Sequence, residues 1–188
     1  MIIRKAQIED SKAITTHMLL AMKHIVYKFI GVNSIVKASI FLEYLIRQKG
    51  NQYSYENCWV IESKGKIIAT VNIYDGAKLH ELRTPVKKLI KSMFDIDFHP
   101  EDETSEGEFY IDCIGVDPNL QGKGIGTKVL NFLIETFVNQ KEKTLGLLVD
   151  KDNPKAKKLY LKLGFETIGE KTIAGKAMEH LQLRNKTP

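Results

Sequence analysis

Apolar residues recur at helical spacing in the first quarter of the chain and at alternate positions in much of the remainder, and these two periods assign most of the elements. Residues 2–6 read as a short first strand. Ile14, Met18, Leu19, Met22, Ile25 and Val26 then form the broad apolar face of a helix for which Asp10 is the expected cap. Ile35, Ile40, Phe41, Tyr44 and Leu45 mark a second helix, with Ser34 as its cap and Gly50 just past its end. Residues 58–62 and 66–74 are β-rich runs on either side of Ser63, Lys64 and Gly65, a short glycine-containing turn that predicts a hairpin. The alternation then stops. Residues 76–107 form a long connection whose helix signal is Thr84 as cap, Pro85 at the first position, and Val86, Leu89, Ile90, Met93 and Phe94 as the apolar face. Its charges are segregated: Lys78, Arg83, Lys87, Lys88 and Lys91 come first, and Glu101, Asp102, Glu103, Glu106, Glu108 and Asp112 follow with no base between them. Two readings stand side by side, a solvated helix and loop or a lid over a substrate site.

Beyond the connection, residues 108–116 predict a strand that ends at Asp117, Pro118 and Asn119, because proline cannot donate to a ladder. A helix with Val129, Leu130, Leu133, Ile134 and Phe137 on one face follows three closely spaced glycines, and residues 144–150 form the next strand. Asn153 as cap and Pro154 at the first position open a last helix, with Ala156, Leu159, Tyr160 and Leu163 inward and Gly164 as its stop. Residues 166–171 and 177–183 close the chain as two strands. No internal repeat or linker divides this order, so residues 1–188 are expected to form one domain of mixed α/β class, decorated at 76–107.

A chain of 188 residues buries roughly 70% of its unfolded surface, enough for a core without metal or disulfide staples. Its 43% hydrophobic and 27% charged residues exclude a disordered or fibrous protein. No apolar run approaches the length of a membrane span, and Arg4, Lys5, Glu9 and Asp10 leave no room for a signal-peptide core, so the expected compartment is the cytoplasm with no membrane partner. Cys58 and Cys113 form no CxxC pair, and His17 and His24 have no carboxylate or cysteine at ligand spacing; no metal is expected. The net charge of +5 and pI near 9.0 point to an anionic partner, which can be nucleic acid, a membrane surface or a small molecule. No nucleic-acid reader motif accompanies the charge, so nucleic acid is not expected.

Candidate chemistry concentrates between the strand at 108–116 and the following helix, in Gln121, Gly122, Lys123, Gly124, Ile125, Gly126 and Thr127. Glycines let the backbone turn tightly, so several N–H groups at the helix start can face one anion, and Lys123 adds a full charge. A Walker loop would need G-x-x-x-x-G-K-[ST], and a Rossmann turn wants glycine where Thr127 stands; both fit poorly. Gln121, Gly124 and Gly126 match [QR]-x-x-G-x-[GA], and in this the segment resembles the acyl-CoA site of the GNAT superfamily of N-acyltransferases. Ile114, Gly115, Val116, Asp117 and Pro118 look like that family's central strand and turn, and Asn153-Pro154 followed by residues 159–165 looks like its later helix and strand entry.

The resemblance implies a mixed, largely antiparallel sheet in which two neighbouring central strands splay apart, and acetyl transfer from acetyl-CoA to the amine of a small molecule or peptide. It implies a cofactor-binding set of Ile114, Gly115, Val116, residues 121–127, Asn153 and Tyr160. It further implies that Tyr160 meets the departing sulfur and that a strand carboxylate serves as base, with Glu108 ranked above Asp112 because Glu108 falls where some members keep a carboxylate acting through water. Glu108, Tyr110 and Asp112 share one strand face if no bulge intervenes. Read without the family, both carboxylates are ordinary partners of surface bases, Tyr160 is a core aromatic and Asn153 a helix cap. A base matters most for a lysine-like amine, whose neutral form costs roughly 4–5 kcal/mol at pH 7, against about 1 kcal/mol for an α-amino group. A catalytically silent acyl-CoA-binding domain would keep the glycine loop without needing a base or Tyr160. Neither the acceptor nor the oligomeric state has a sequence signal; a homodimer is compatible with the chain.

Overall fold

The computed structural model describes residues 1–185. The elements run β1 (Ile2–Lys5), α1 (Ser11–Ile30), α2 (Ile35–Arg47), β2 (Cys58–Ser63), β3 (Lys66–Asp75), α3 (Leu79–Phe94), β4 (Phe109–Val116), α4 (Ile125–Leu133), β5 (Leu145–Asp150), α5 (Pro154–Lys162), β6 (Glu166–Ile173) and β7 (Lys176–Leu183). The seven strands make one sheet in the order β1-β2-β3-β4-β5-β7-β6, antiparallel except at the β4–β5 junction. A mixed, largely antiparallel sheet flanked by helices is the architecture expected from the sequence.

Two apolar layers hold it together. Ile14, Met18 and Val26 of α1, Phe41 and Leu42 of α2, and Val86 and Ile90 of α3 pack with Val60 and Cys113 of the sheet. Val129 and Leu133 of α4 pack with Val71, Ile111, Leu145 and Leu147. Each such side chain stabilises the fold by roughly 1.5–3 kcal/mol on burial, which is why the helical stripes dock even though α1 and α2 alone would be marginal in water. Among the described residues, no single helix is long and apolar enough to cross a membrane.

Three details depart from the sequence expectations. The helix of the long connection begins at Leu79, not at Pro85, which lies inside it. Asp75 Oδ1 accepts from Ala77 N–H at 3.1 Å and starts a 3₁₀ turn that runs directly into α3, so the helix is nucleated upstream. Thr84 Oγ1 donates to the His80 carbonyl at 2.8 Å instead of capping an end. Asp10 does not cap α1 with its side chain; its carboxylate takes the Gln7 N–H and the Arg4 guanidinium. On α2, Phe41 and Leu45 are buried as expected, whereas Ile35, Ile40 and Tyr44 are exposed.

Gly115 lets α1 approach the sheet. A Cβ at this position would strike the His17 carbonyl, so helix and strand cross at backbone contact. Just beyond that crossing, Met22 leaves helical geometry (φ −132°, ψ 22°) and bends α1. The kinked half, from Leu20 to Phe29, forms one wall of the cleft described next.

Candidate active site

The parallel strands β4 and β5 pair only through Phe109↔Leu145, Tyr110↔Gly146 and Ile111↔Leu147, although β4 continues to Val116 and β5 to Asp150. Their C-terminal halves therefore splay. A second irregularity coincides with the point of separation. Asn72 of β3 faces Cys113 and Ile73 faces Ile111, which leaves Asp112 as the extra, unpaired residue of a β-bulge. The regular alternation of Glu108, Tyr110 and Asp112 expected for an unbroken strand is interrupted between the last two.

A cleft of about 670 Å³ opens at the splay. Tyr110, Asp112, Cys113 and Ile114 of β4 line it with Leu148, Val149 and Asp150 of β5, Asn153 and Tyr160 of α5, and the β6–β7 turn. The far part of the connection supplies Phe98, Pro100, Glu101 and Glu103.

Asp112 Oδ2 is sealed from solvent and has no hydrogen-bond partner among the described residues. Burial pushes the carboxyl up to about 8, with repulsion from Glu103 adding to the rise and Arg83 opposing it. Such a group can take a proton from an amine near neutral pH. Cys113, beside it, is pushed well above the ordinary thiol range by burial and is inert as a nucleophile.

Glu108 has different surroundings. It is 4% exposed and lies outside the cleft lining. Its carboxylate accepts from Thr104 Oγ1 at 2.6 Å and Gln182 Nε2 at 2.7 Å, and His180 Nε2 lies 2.9 Å from Oε2. Burial works to raise its pKa, but these side-chain partners outweigh it and hold the carboxyl below its ordinary value. Gly146 makes room for this group, since a Cβ there would collide with the Glu108 carboxylate. The arrangement ties the end of the connection to β5 and β7.

Part of the acidic run is therefore built into the structure: Glu103 and Glu108 are buried, whereas Glu101, Asp102 and Glu106 are exposed. Glu103, 7% exposed, receives the Arg83 guanidinium, Gln52 Nε2 at 2.6 Å and Tyr74 OH at 2.9 Å. Arg83 also donates to Asp102 at 2.7 Å, and Lys171 Nζ donates to the Asp102 carbonyl at 3.0 Å. Gln52, Tyr53 and Arg83 are cleft residues that the sequence reasoning did not single out. Tyr53 and Gln52 sit in an irregular segment with no periodicity to mark them. Asp112 did carry a signal, as the lone charge in the apolar run from Phe109 to Val116.

On the opposite side of the splay, Tyr160 packs against Phe165 with ring centroids 5.9 Å apart. Burial raises its phenol, so the hydroxyl stays protonated and available as a donor. Asn153 Oδ1 accepts from Ala156 N–H at 3.1 Å, confirming its role as cap of α5. The glycine loop leads into α4, with Gly122 at φ 76° and Gly124 at φ 77°. A Cβ on Gly122, Gly124 or Gly126 would meet no atom within 4 Å. The side on which a Cβ would stand is thus open at all three glycines, just where α4 begins and its first N–H groups lack intrahelical acceptors. Gln121 Nε2 reaches back to the Val116 carbonyl at 3.4 Å and braces the turn.

Residues 34–165 match the Acetyltransferase (GNAT) family. The chain belongs to that family. Among solved structures, this GNAT chain is similar to an acetyltransferase crystal structure at 30% identity and a TM-score of 0.82, covering 98% of this chain and 99% of the other. An N-acetyltransferase from Staphylococcus aureus Mu50 superposes at a TM-score of 0.78 with 21% identity, covering 97% of this chain and all of the other. Among curated proteins, mycothiol acetyltransferase of Mycobacterium sp. (strain JLS) is 41% identical over 64 residues, which are 32% of this chain and 21% of that protein. The GNAT chain thus matches only about a fifth of that relative's length.

Proposed function

We propose that the protein transfers an acetyl group from acetyl-CoA to a primary amine, with Asp112 as the base and Tyr160 as the hydrogen-bond donor to the leaving sulfur. The observation that carries this reading is the cleft at the β4–β5 splay, which holds an unpartnered carboxyl of raised pKa and a protonated phenol in one cavity. Glu108, first choice on the sequence, becomes a positioning residue, because its carboxylate is committed to Thr104, His180 and Gln182. The cradle for the CoA pyrophosphate is residues 121–127, with Ile114, Gly115, Val116 and Asn153 along the splay.

Acetyl-CoA supplies an activated thioester; the chain supplies proton management and position. The bound ammonium passes one proton to Asp112, which is close to thermoneutral for an α-amino group near pKa 8 and uphill by roughly 3 kcal/mol for a lysine-like amine. As the N–C bond forms and the C–S bond breaks, the second amine proton is carried to the sulfur, which leaves as thiol, and Asp112 later releases the first proton to solvent. Donation from Tyr160 stabilises the developing negative charge on sulfur; full transfer from a phenol of raised pKa would be unfavourable. The cytoplasm is the compartment in which such a reaction and its donor fit this sequence.

The primary test is binding and turnover. Saturating acetyl-CoA is expected to raise Tm by mass action, and CoA release with an amine panel is expected to follow. Binding without turnover of any amine would reduce the protein to a silent acyl-CoA-binding domain. Gly126→Val should weaken CoA binding by about tenfold or more, measured calorimetrically, because its side chain would occupy the space the backbone leaves for the anion. This position is a cleaner probe than Gly124, where φ 77° adds backbone strain to any side chain. Tyr160→Phe should lower kcat by roughly 10–10² while CoA affinity stays within twofold, since the ring still packs on Phe165 but the donor is gone.

A further inference from the structure

On the amine-acetylation reading above, the acceptor enters as an ammonium with three N–H donors. Asp112, one oxygen of which is sealed from solvent, leaves some of them to other acceptors. Two phenols of the same cleft are placed to take them. Tyr53 and Tyr110 line the cavity with Asp112, and the two tyrosines are 1% and 4% exposed. Burial raises both phenols well above their ordinary value, and after burial the Asp112 carboxylate is the next cause for each; Tyr53 also acts on Tyr110. The three groups therefore lie within one another's field. Both hydroxyls stay protonated, and a neutral phenol oxygen accepts a hydrogen bond while its proton donates another. Among the described residues, neither hydroxyl has a hydrogen-bond partner. Tyr74, whose ring centroid lies 5.8 Å from that of Tyr110, differs in this respect, because its hydroxyl is committed to Glu103 and Gln52.

Buried polar groups fix the backbone that carries Tyr53. Residues 51–54 form an irregular segment between α2 and β2, yet all four are buried, where a loop has to satisfy its own polar groups. Asn51 Nδ2 donates to the carbonyls of Leu45 at 2.8 Å and Gln48 at 2.9 Å, and its Oδ1 accepts the Tyr53 N–H at 2.9 Å. Gln52 N–H donates to the Leu82 carbonyl at 3.0 Å, and the Gln52 carbonyl accepts from Asn72 Nδ2 at 3.1 Å. The Tyr53 ring belongs to the apolar layer of α1, α2 and the sheet. Backbone and ring are thus held before any ligand arrives, so an N–H that meets the hydroxyl has little ordering cost to overcome.

We infer that Tyr53 and Tyr110 bind the acceptor: their phenol oxygens accept N–H groups of the ammonium that Asp112 deprotonates, Tyr53 from the segment after α2 and Tyr110 from β4. They hold the nitrogen and keep their own protons throughout. Asp112 alone takes charge from the amine.

The experiment is steady-state kinetics of the full chain with acetyl-CoA and four amines, phenethylamine, spermidine, lysine and an alanyl dipeptide, continued with whichever the unmodified protein turns over best. Tyr53→Phe is expected to raise the KM for that amine about tenfold or more, as loss of a hydrogen bond to a charged group does, with kcat within about threefold and CoA affinity within about twofold. Its Tm without ligand should be unchanged or higher, because the hydroxyl removed has no partner among the described residues. Tyr74→Phe is the contrast: it breaks the bond to Glu103 and should lower Tm while changing the acceptor KM by less than about threefold. An acceptor KM that is unchanged in Tyr53→Phe, or raised equally in Tyr74→Phe, would overturn the inference and leave amine acetylation standing. Should Tyr53→Phe not fold, Tyr110→Phe carries the same expected rise in acceptor KM, and an unchanged KM there would overturn the inference in the same way. A protein that binds acetyl-CoA and acetylates none of the four amines would lose the amine-acetylation reading and the inference together.

Discussion

Asp112→Asn is expected to lower kcat/KM by about 10²–10⁴ and, at the same time, to make the protein more stable above neutral pH. The activity loss follows from removing the proposed proton acceptor in the cleft. In the unmodified protein kcat/KM should rise with pH through an apparent value near 8, the direction set by burial and by the neighbouring Glu103. That limb should disappear in the variant. The stability effect has the opposite sign because the folded state holds the Asp112 proton more tightly than the unfolded chain does. A carboxyl raised from 3.8 to about 8 costs stability progressively as pH climbs between those two values. At roughly 1.4 kcal/mol per unit, the full penalty is on the order of a few kcal/mol above pH 8 and vanishes below about pH 4. Chemical denaturation of both proteins at pH 4, 6 and 8 measures it; a stability difference that does not grow with pH would contradict the assignment of the raised carboxyl. Function and stability thus oppose each other at one residue, as is common where an active site keeps a charge out of water.

Arg83→Ala should destabilise the fold by about 3–5 kcal/mol, the usual penalty for removing one partner of a buried ion pair. Glu103 is 7% exposed and would be left with only the neutral donors Gln52 and Tyr74, while Asp102 would lose its 2.7 Å contact. For a chain of this size the loss corresponds to roughly 2–4 °C in Tm per kcal/mol. Arg83→Met combined with Glu103→Gln should recover much of it, because the uncompensated charge is then absent. The catalytic consequence is separable from the loss of stability. Arg83 is the positive charge that opposes the rise of the Asp112 pKa, so its removal should move the acidic limb of the pH–rate profile upward in whatever fraction remains folded. An unmoved limb would dissociate the two groups electrostatically.

The sequence by itself determined what depends on neighbours a few residues apart. Helical stripes such as Ile14, Met18, Met22 and Val26 dictate α1 because residues three and four apart share a face whatever the rest of the chain does. The glycines at 122, 124 and 126 and the Asn153-Pro154 helix start are likewise local, and with residues 114–118 and 159–165 they were enough to indicate the family and, through the resemblance, its mixed, splayed sheet. Only the tertiary structure decided which carboxylate is free. Glu108 and Asp112 lie four residues apart on nearly the same strand, and nothing in their spacing announces the bulge that separates them. Glu108 is committed by His180, 72 residues away, and Glu103 is held by Gln52, 51 residues away. Such contacts form where the sheet and the connection close on each other, so Glu103 and Glu108 of a run that reads equally as solvated or as a lid are buried, while Glu101, Asp102 and Glu106 stay exposed. Asp112 stays unpartnered because the strands part at its position, a property of the packed sheet that no segment of the chain possesses alone.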